Sequence, residues 1–168
     1  MTQTRQRPAL PRGLLALCVL AWPAAASLAD AQEMVTVSTP TAVTFAVSDV
    51  SRTTAGSPDV TRIAFSNVAL TPGHGLRLSV KADTAAFVGP GGAGIPATKV
   101  SWTRLGAGNG EGMSGALSAS TYGLVFQSDP SPTSAHVDVG WTLAAPGSGV
   151  RAGVHDLTIR WKVEAISP

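Results

Sequence analysis

Apolar and polar side chains take turns along the last part of the chain. From Leu157 onward, Leu157, Ile159, Trp161 and Val163 alternate with Thr158, Arg160, Lys162 and Glu164. A period of two puts each set on its own face of a strand, one face buried and one wet. The same rule sets Val137, Val139, Trp141 and Leu143 inward against Asp138, Gly140 and Thr142, and Leu76, Leu78 and Val80 inward against Arg77, Ser79 and Lys81. Shorter alternations at Met34–Val37, Val43–Val47, Thr61–Phe65, Val100–Arg104 and Tyr122–Phe126 bring the expected total to about seven or eight strands.

Beyond residue 31, no window of helical length carries apolar positions at i, i+3, i+4 and i+7 without an intervening Gly or Pro. Between the alternating segments lie turn-rich stretches: Ser51–Pro58, Thr71–Gly75, Gly89–Pro96, Gly106–Gly115, Ser128–Ser134 and Ala145–Gly153. Short strands separated by Gly, Pro, Ser and Asn clusters predict an all-β domain, and an immunoglobulin-like β-sandwich is the preferred arrangement.

The first thirty residues have a different character. Arg5, Arg7 and Arg12 precede an uncharged apolar run from Gly13 to Leu28, which ends in Ala29, Asp30 and Ala31. Basic start, apolar middle and small-x-small end are the parts of an export signal, with cleavage expected after Ala31. The run contains Pro23 and is short for a membrane span of ~20 residues, so no anchor is expected to remain. Cys18 follows Leu17 rather than a small residue, which disfavours lipidation, and Gln6 between Arg5 and Arg7 breaks a twin-arginine signal. The expected division is residues 1–31 as signal peptide and 32–168 as one β-sandwich domain.

Removal of the leader changes the charge. Residues 32–168 carry nine Lys or Arg and nine Asp or Glu, a formal net charge of zero, so the electrostatic footprint of a nucleic-acid binder is missing. Cys18, the one cysteine, leaves with the leader. The exported domain must therefore hold together without disulfides, which a chain of this length can do with a single core.

Candidate chemistry is sparse. Gly89, Gly91 and Gly94, and again Gly110, Gly112 and Gly115, fit G-x-G-x-x-G. That pattern binds a pyrophosphate only between a strand and a helix, and no helix is expected after either run. His74, His136 and His155 have no second histidine or cysteine at ligand spacing, so no metal is expected. Asn109 to Glu111 lacks the alternating acids of a calcium loop. His136 with Asp138, or His155 with Asp156, could supply a base and its orienting acid, but there is no G-x-S-x-G elbow or H-E-x-x-H. No cofactor and no catalysis are expected.

Aromatic residues offer another possibility. Trp102, Trp141 and Trp161 could stack on sugar rings or anchor a partner protein. Trp141 and Trp161 are in phase with apolar neighbours and read first as core. Trp102 lies between Val100 and Arg104 in phase, which leaves its face open. An exposed aromatic surface around Trp102 is one expectation for a binding face, and a free strand edge is another.

Two segments resemble the WxL domains of bacterial cell-surface proteins. Leu157-Thr-Ile-Arg-Trp161-Lys-Val163 is similar to their final W-x-L strand, with valine for leucine. Val47 to Val50, then Gly75 to Ala82, resembles the first such segment, with Leu76 where the tryptophan stands. Trp141-Thr-Leu143 is a literal W-x-L outside either aligned position. The resemblance implies a β-rich fold and a surface location, with a cell-wall polymer or another surface protein as partner. The expected function is that of a secreted or envelope-associated, non-catalytic binding or attachment module. The alternatives are a polymerising subunit, whose donated strand would have to come from Met34, Val35 and Val37, and a secreted hydrolase.

Overall fold

The computed structural model describes residues 33–40, 42–89, 94–151 and 155–167. Two antiparallel sheets account for nearly all of their regular structure. The first contains β1 (Met34–Ser38), β2 (Thr54–Ala55), β3 (Thr61–Ala69), β5 (Val100–Gly108), β7 (Gly115–Ala116) and β9 (Ala135–Leu143). The second contains β4 (Gly75–Ala82), β6 (Gly110–Gly112), β8 (Gly123–Ser128) and β10 (Ile159–Ile166). Pairing runs β1-β3-β9-β5-β7 in one, with β2 beside the end of β9, and β10-β4-β8-β6 in the other. The described residues contain no α-helix, only a 3-10 turn at Ala97–Lys99.

Alternation decides which faces meet. Along β9 every second residue is buried, from Ala135 through Val137, Val139 and Trp141 to Leu143, so one face of the first sheet is continuously apolar. Leu76, Leu78, Val80 and Ala82 present the matching face of β4 and are at most 1% exposed. Phe65 of β3 stacks on Phe126 of β8, centroids 5.8 Å apart at 18°, which fixes the two sheets face to face. Each such buried side chain contributes on the order of 1.5–3 kcal/mol of transfer free energy.

Several sequence expectations need correction. Ten strands form among the described residues rather than seven or eight, because Thr54–Ala55 and Gly110–Gly112 pair within stretches read as turns and Gly115–Ala116 pairs at the end of one. Glycine-rich segments give no alternation to detect, yet their backbones still bond to a neighbour. β5 runs on to Gly108, the chain crosses to the second sheet as β6, and β7 returns to pair with β5. Val43–Val47 keeps its alternating burial but makes a single bridge, Thr44 to Ser57, instead of a strand. The last strand begins at Ile159 and not at Leu157. Ser79, expected outside, is 6% exposed.

The leader, residues 1–31 with Cys18, lies outside the described residues, and so does most of the glycine run Gly89–Gly94. The described residues fall in one compact unit, Ala31–Pro168.

Candidate functional site

A cleft of about 660 Å³ opens between the sheets on the flank where β10 ends the second sheet. Three connections build it. Gly56, following β2, donates its N–H to the Trp141 carbonyl at 2.8 Å, and Thr44 and Ser57 exchange backbone bonds of 3.0 and 2.8 Å. A side chain at position 56 would stand 2.7 Å from Val43 Cγ1 and 3.0 Å from Trp141 Cβ, so glycine lets residues 42–47 lie against the sheet. Val43, Phe45 and Val47 thereby face the cleft. On the other side, Val88 and Asp156 bond each other's backbone twice at 2.9 Å, which brings Phe87 and Leu157 to the wall. Ile95, Val100, Leu117 and Leu143, each at most 2% exposed, form the floor.

The three tryptophans named from the sequence come together in one row. Trp102 and Trp141 have ring centroids 6.1 Å apart at 56°, and Trp141 and Trp161 6.2 Å apart at 72°. They do not share one environment. Trp102 is 2% exposed, and its indole N–H donates to the Met113 carbonyl at 2.8 Å. The expectation of an exposed aromatic surface at Trp102 is therefore corrected: Gly115 and Gly123, where a Cβ would lie 2.6 Å from the indole, make room for the ring inside. Trp141 is 5% exposed and Trp161 half-buried, and both line the cleft. Trp141 Nε1 is buried and has no partner among the described residues, a position that costs free energy until an acceptor reaches it.

Ionisable groups at the cleft are His155 and Asp156. His155 Nε2 lies 2.8 Å from the Arg151 carbonyl. A carbonyl only accepts, so this nitrogen carries the proton. Nδ1 is buried without a partner among the described residues. Thr39, Thr44 and Thr158 supply hydroxyl groups along the same wall. No described side-chain hydrogen bond joins any of them to His155 or Asp156.

The other histidines stand elsewhere. His136 and Asp138 share the outer face of β9, where Arg62 bonds the Asp138 carboxylate through Nε at 2.7 Å and a second nitrogen at 2.8 Å. Those hydrogen bonds hold the Asp138 carboxyl below its ordinary range, against the opposing effect of its partial burial. His74 Nδ1 lies 3.1 Å from Glu33, whose carboxyl is lowered first by the Thr71 backbone N–H. A second aromatic position lies outside the cleft: Tyr122 is 41% exposed, with Lys81 and Lys162 ammonium groups 5.2 and 5.7 Å from its ring centre.

No three His, Cys, Asp or Glu side chains among the described residues are grouped to hold a metal. No described helix is long and apolar enough to cross a membrane. No protein-family model matches the chain, and no curated protein or solved structure matches it either.

Proposed function

We propose that this chain is an exported, non-catalytic binding module of the cell envelope whose ligand enters the cleft between the sheets. The observation that carries the reading is a cleft of about 660 Å³ walled by Trp141, Trp161, Phe45 and Phe87, with Thr39, Thr44, His155, Asp156 and Thr158 among them. That size suits a ligand group of several residues or rings, and aromatic walls joined by polar groups that fix orientation are what such sites use. The export-signal pattern of the first 31 residues and the resemblance to WxL surface domains support a ligand outside the cell, among wall polymers or surface proteins. The non-catalytic reading is supported by the surroundings of His155, which among the described residues hydrogen-bonds a main-chain carbonyl and neither a carboxylate nor a hydroxyl of the kind that nucleophilic catalysis sets beside its base.

The finer fold reading is an immunoglobulin-like sandwich. That arrangement places strands B and E side by side in one sheet and C and F in the other. The pairs β3–β9 and β4–β10 fit that side-by-side arrangement, with β6 and β8 as two added returns to the second sheet between them. As a polymerising subunit the chain is less well supported, because Met34–Ser38, the segment that would be donated, is paired with β3 of its own chain.

Retention on isolated cell envelope and purified peptidoglycan tests the reading. Wild type should be retained, and Phe45→Ala, at a position outside every ladder, should be retained at least fivefold less. Retention no greater than that of an unrelated β-sandwich would overturn it.

A further inference from the structure

The two sheets differ in width at the cleft. Trp161 of β10 meets Trp141 of β9, and β10 is the last strand of its sheet. Beyond β9, however, the first sheet continues through β2 to residues 42–47. Val43 and Phe45 therefore face a position that no described strand fills. Along the outer edge of β10, the backbone groups directed away from β4 have no ladder partner among the described residues. An unpaired edge of this kind accepts an added strand.

Resting on the reading of the cleft as a binding site, we infer that its occupant is an extended peptide segment of a partner protein, added antiparallel or parallel to β10. Such a strand lies about 4.8 Å from β10 and sends alternate side chains to opposite faces. Its inward residues enter the cleft against Phe45, Val43 and Trp161. Its outward residues flank Arg160 and Lys162, which stand exposed on the other face of β10. The ligand is thus recognised by its backbone and by bulky apolar residues at every second position, with polar residues between, since Arg160 and Lys162 are already paired with Asp83 and Glu164. A free small molecule satisfies the walls of the cleft but leaves the edge of β10 unpaired. A peptide strand satisfies both, and that contiguity of edge and cleft decides between them.

The test uses the exported protein and a pool of nine-residue peptides with Val, Ile, Leu or Phe at odd positions and Thr, Ser or Asn at even ones. Binding is followed by tryptophan fluorescence and by hydrogen exchange of the β10 amides. Strand addition protects alternate amides in β10 at least tenfold. Peptides N-methylated at every second residue, in either phase, keep their side chains, and the phase that blocks pairing with β10 binds at least tenfold more weakly. Equal binding of both N-methylated phases, without β10 protection, overturns the inference while leaving the cleft a binding site. Retention on cell envelope with no peptide bound does the same. Concentration-dependent protection of β10 in the absence of peptide assigns the edge to a second copy and also overturns it. Loss of envelope retention together with peptide binding removes the underlying reading as well.

Discussion

Trp141 and Trp161 meet edge to face across the two sheets, ring centroids 6.2 Å apart. One belongs to a strand with every second residue buried and the other to an edge strand, so the pair closes the core on one side and walls the cleft on the other. Trp141→Ala should cost about 3–5 kcal/mol, the range for emptying a buried tryptophan site. Trp161→Ala, from a half-buried edge position, should cost less. A double-mutant cycle from denaturant unfolding should give a coupling of about 0.5–1.5 kcal/mol, and a coupling near zero would deny the contact.

Room for Trp102 depends on two glycines. Gly115→Ala and Gly123→Ala each place a Cβ 2.6 Å from the indole, and the ring must shift or the strands must part. Each should lose about 1–3 kcal/mol and alter the near-ultraviolet dichroism. Gly94→Ala, with Ala86 Cβ at an ordinary 3.4 Å, should change neither.

Much of this architecture was legible in the chain itself. Val137, Val139, Trp141 and Leu143 fall on the buried face as their spacing requires, because a half-buried strand has only two faces. Trp102 was not decidable, since the chain turns irregular between Arg104 and Gly106 and the space it fills is created by distant glycines. The cleft was illegible for a related reason. Its walls come from residues 39–40, 42–45, 47, 87, 141, 143, 155–159 and 161, and no local pattern reports which distant segments a sheet edge leaves uncovered.

Acid should weaken the fold through its paired carboxylates. Asp138 is held low by hydrogen bonds from Arg62, Asp83 by Arg160, and Glu33 by Thr71 and then His74. A carboxyl whose folded pKa lies below its unfolded value of about 4 stabilises at higher pH, and that contribution is lost as pH falls through the folded value. The melting temperature should therefore be flat from about pH 7 to 5 and fall below about pH 4. Asp138→Asn should lower it at pH 7 and make the acid decline shallower. An unchanged acid limb would show that this pair contributes nothing.

Deletion from Leu157 onward removes β10, which pairs with β4 over its whole length. Leu78 and Val80 would then face water along one side, and the truncated chain should show no cooperative thermal transition. A transition near the full-length temperature would mean that β10 is not needed to close the two sheets.

The central claim, that ligand enters the cleft beside β10, is read most directly from the indole N–H resonances of residues 32–168, which contain Trp102, Trp141 and Trp161 and no other tryptophan. Trp102 is bonded to Met113 within the core and serves as the internal control. On titration with the peptide pool or with a digest of cell envelope, the Trp141 and Trp161 signals should move while that of Trp102 holds its position. Three unmoved signals under both titrations, or a shift confined to Trp102, would contradict the account.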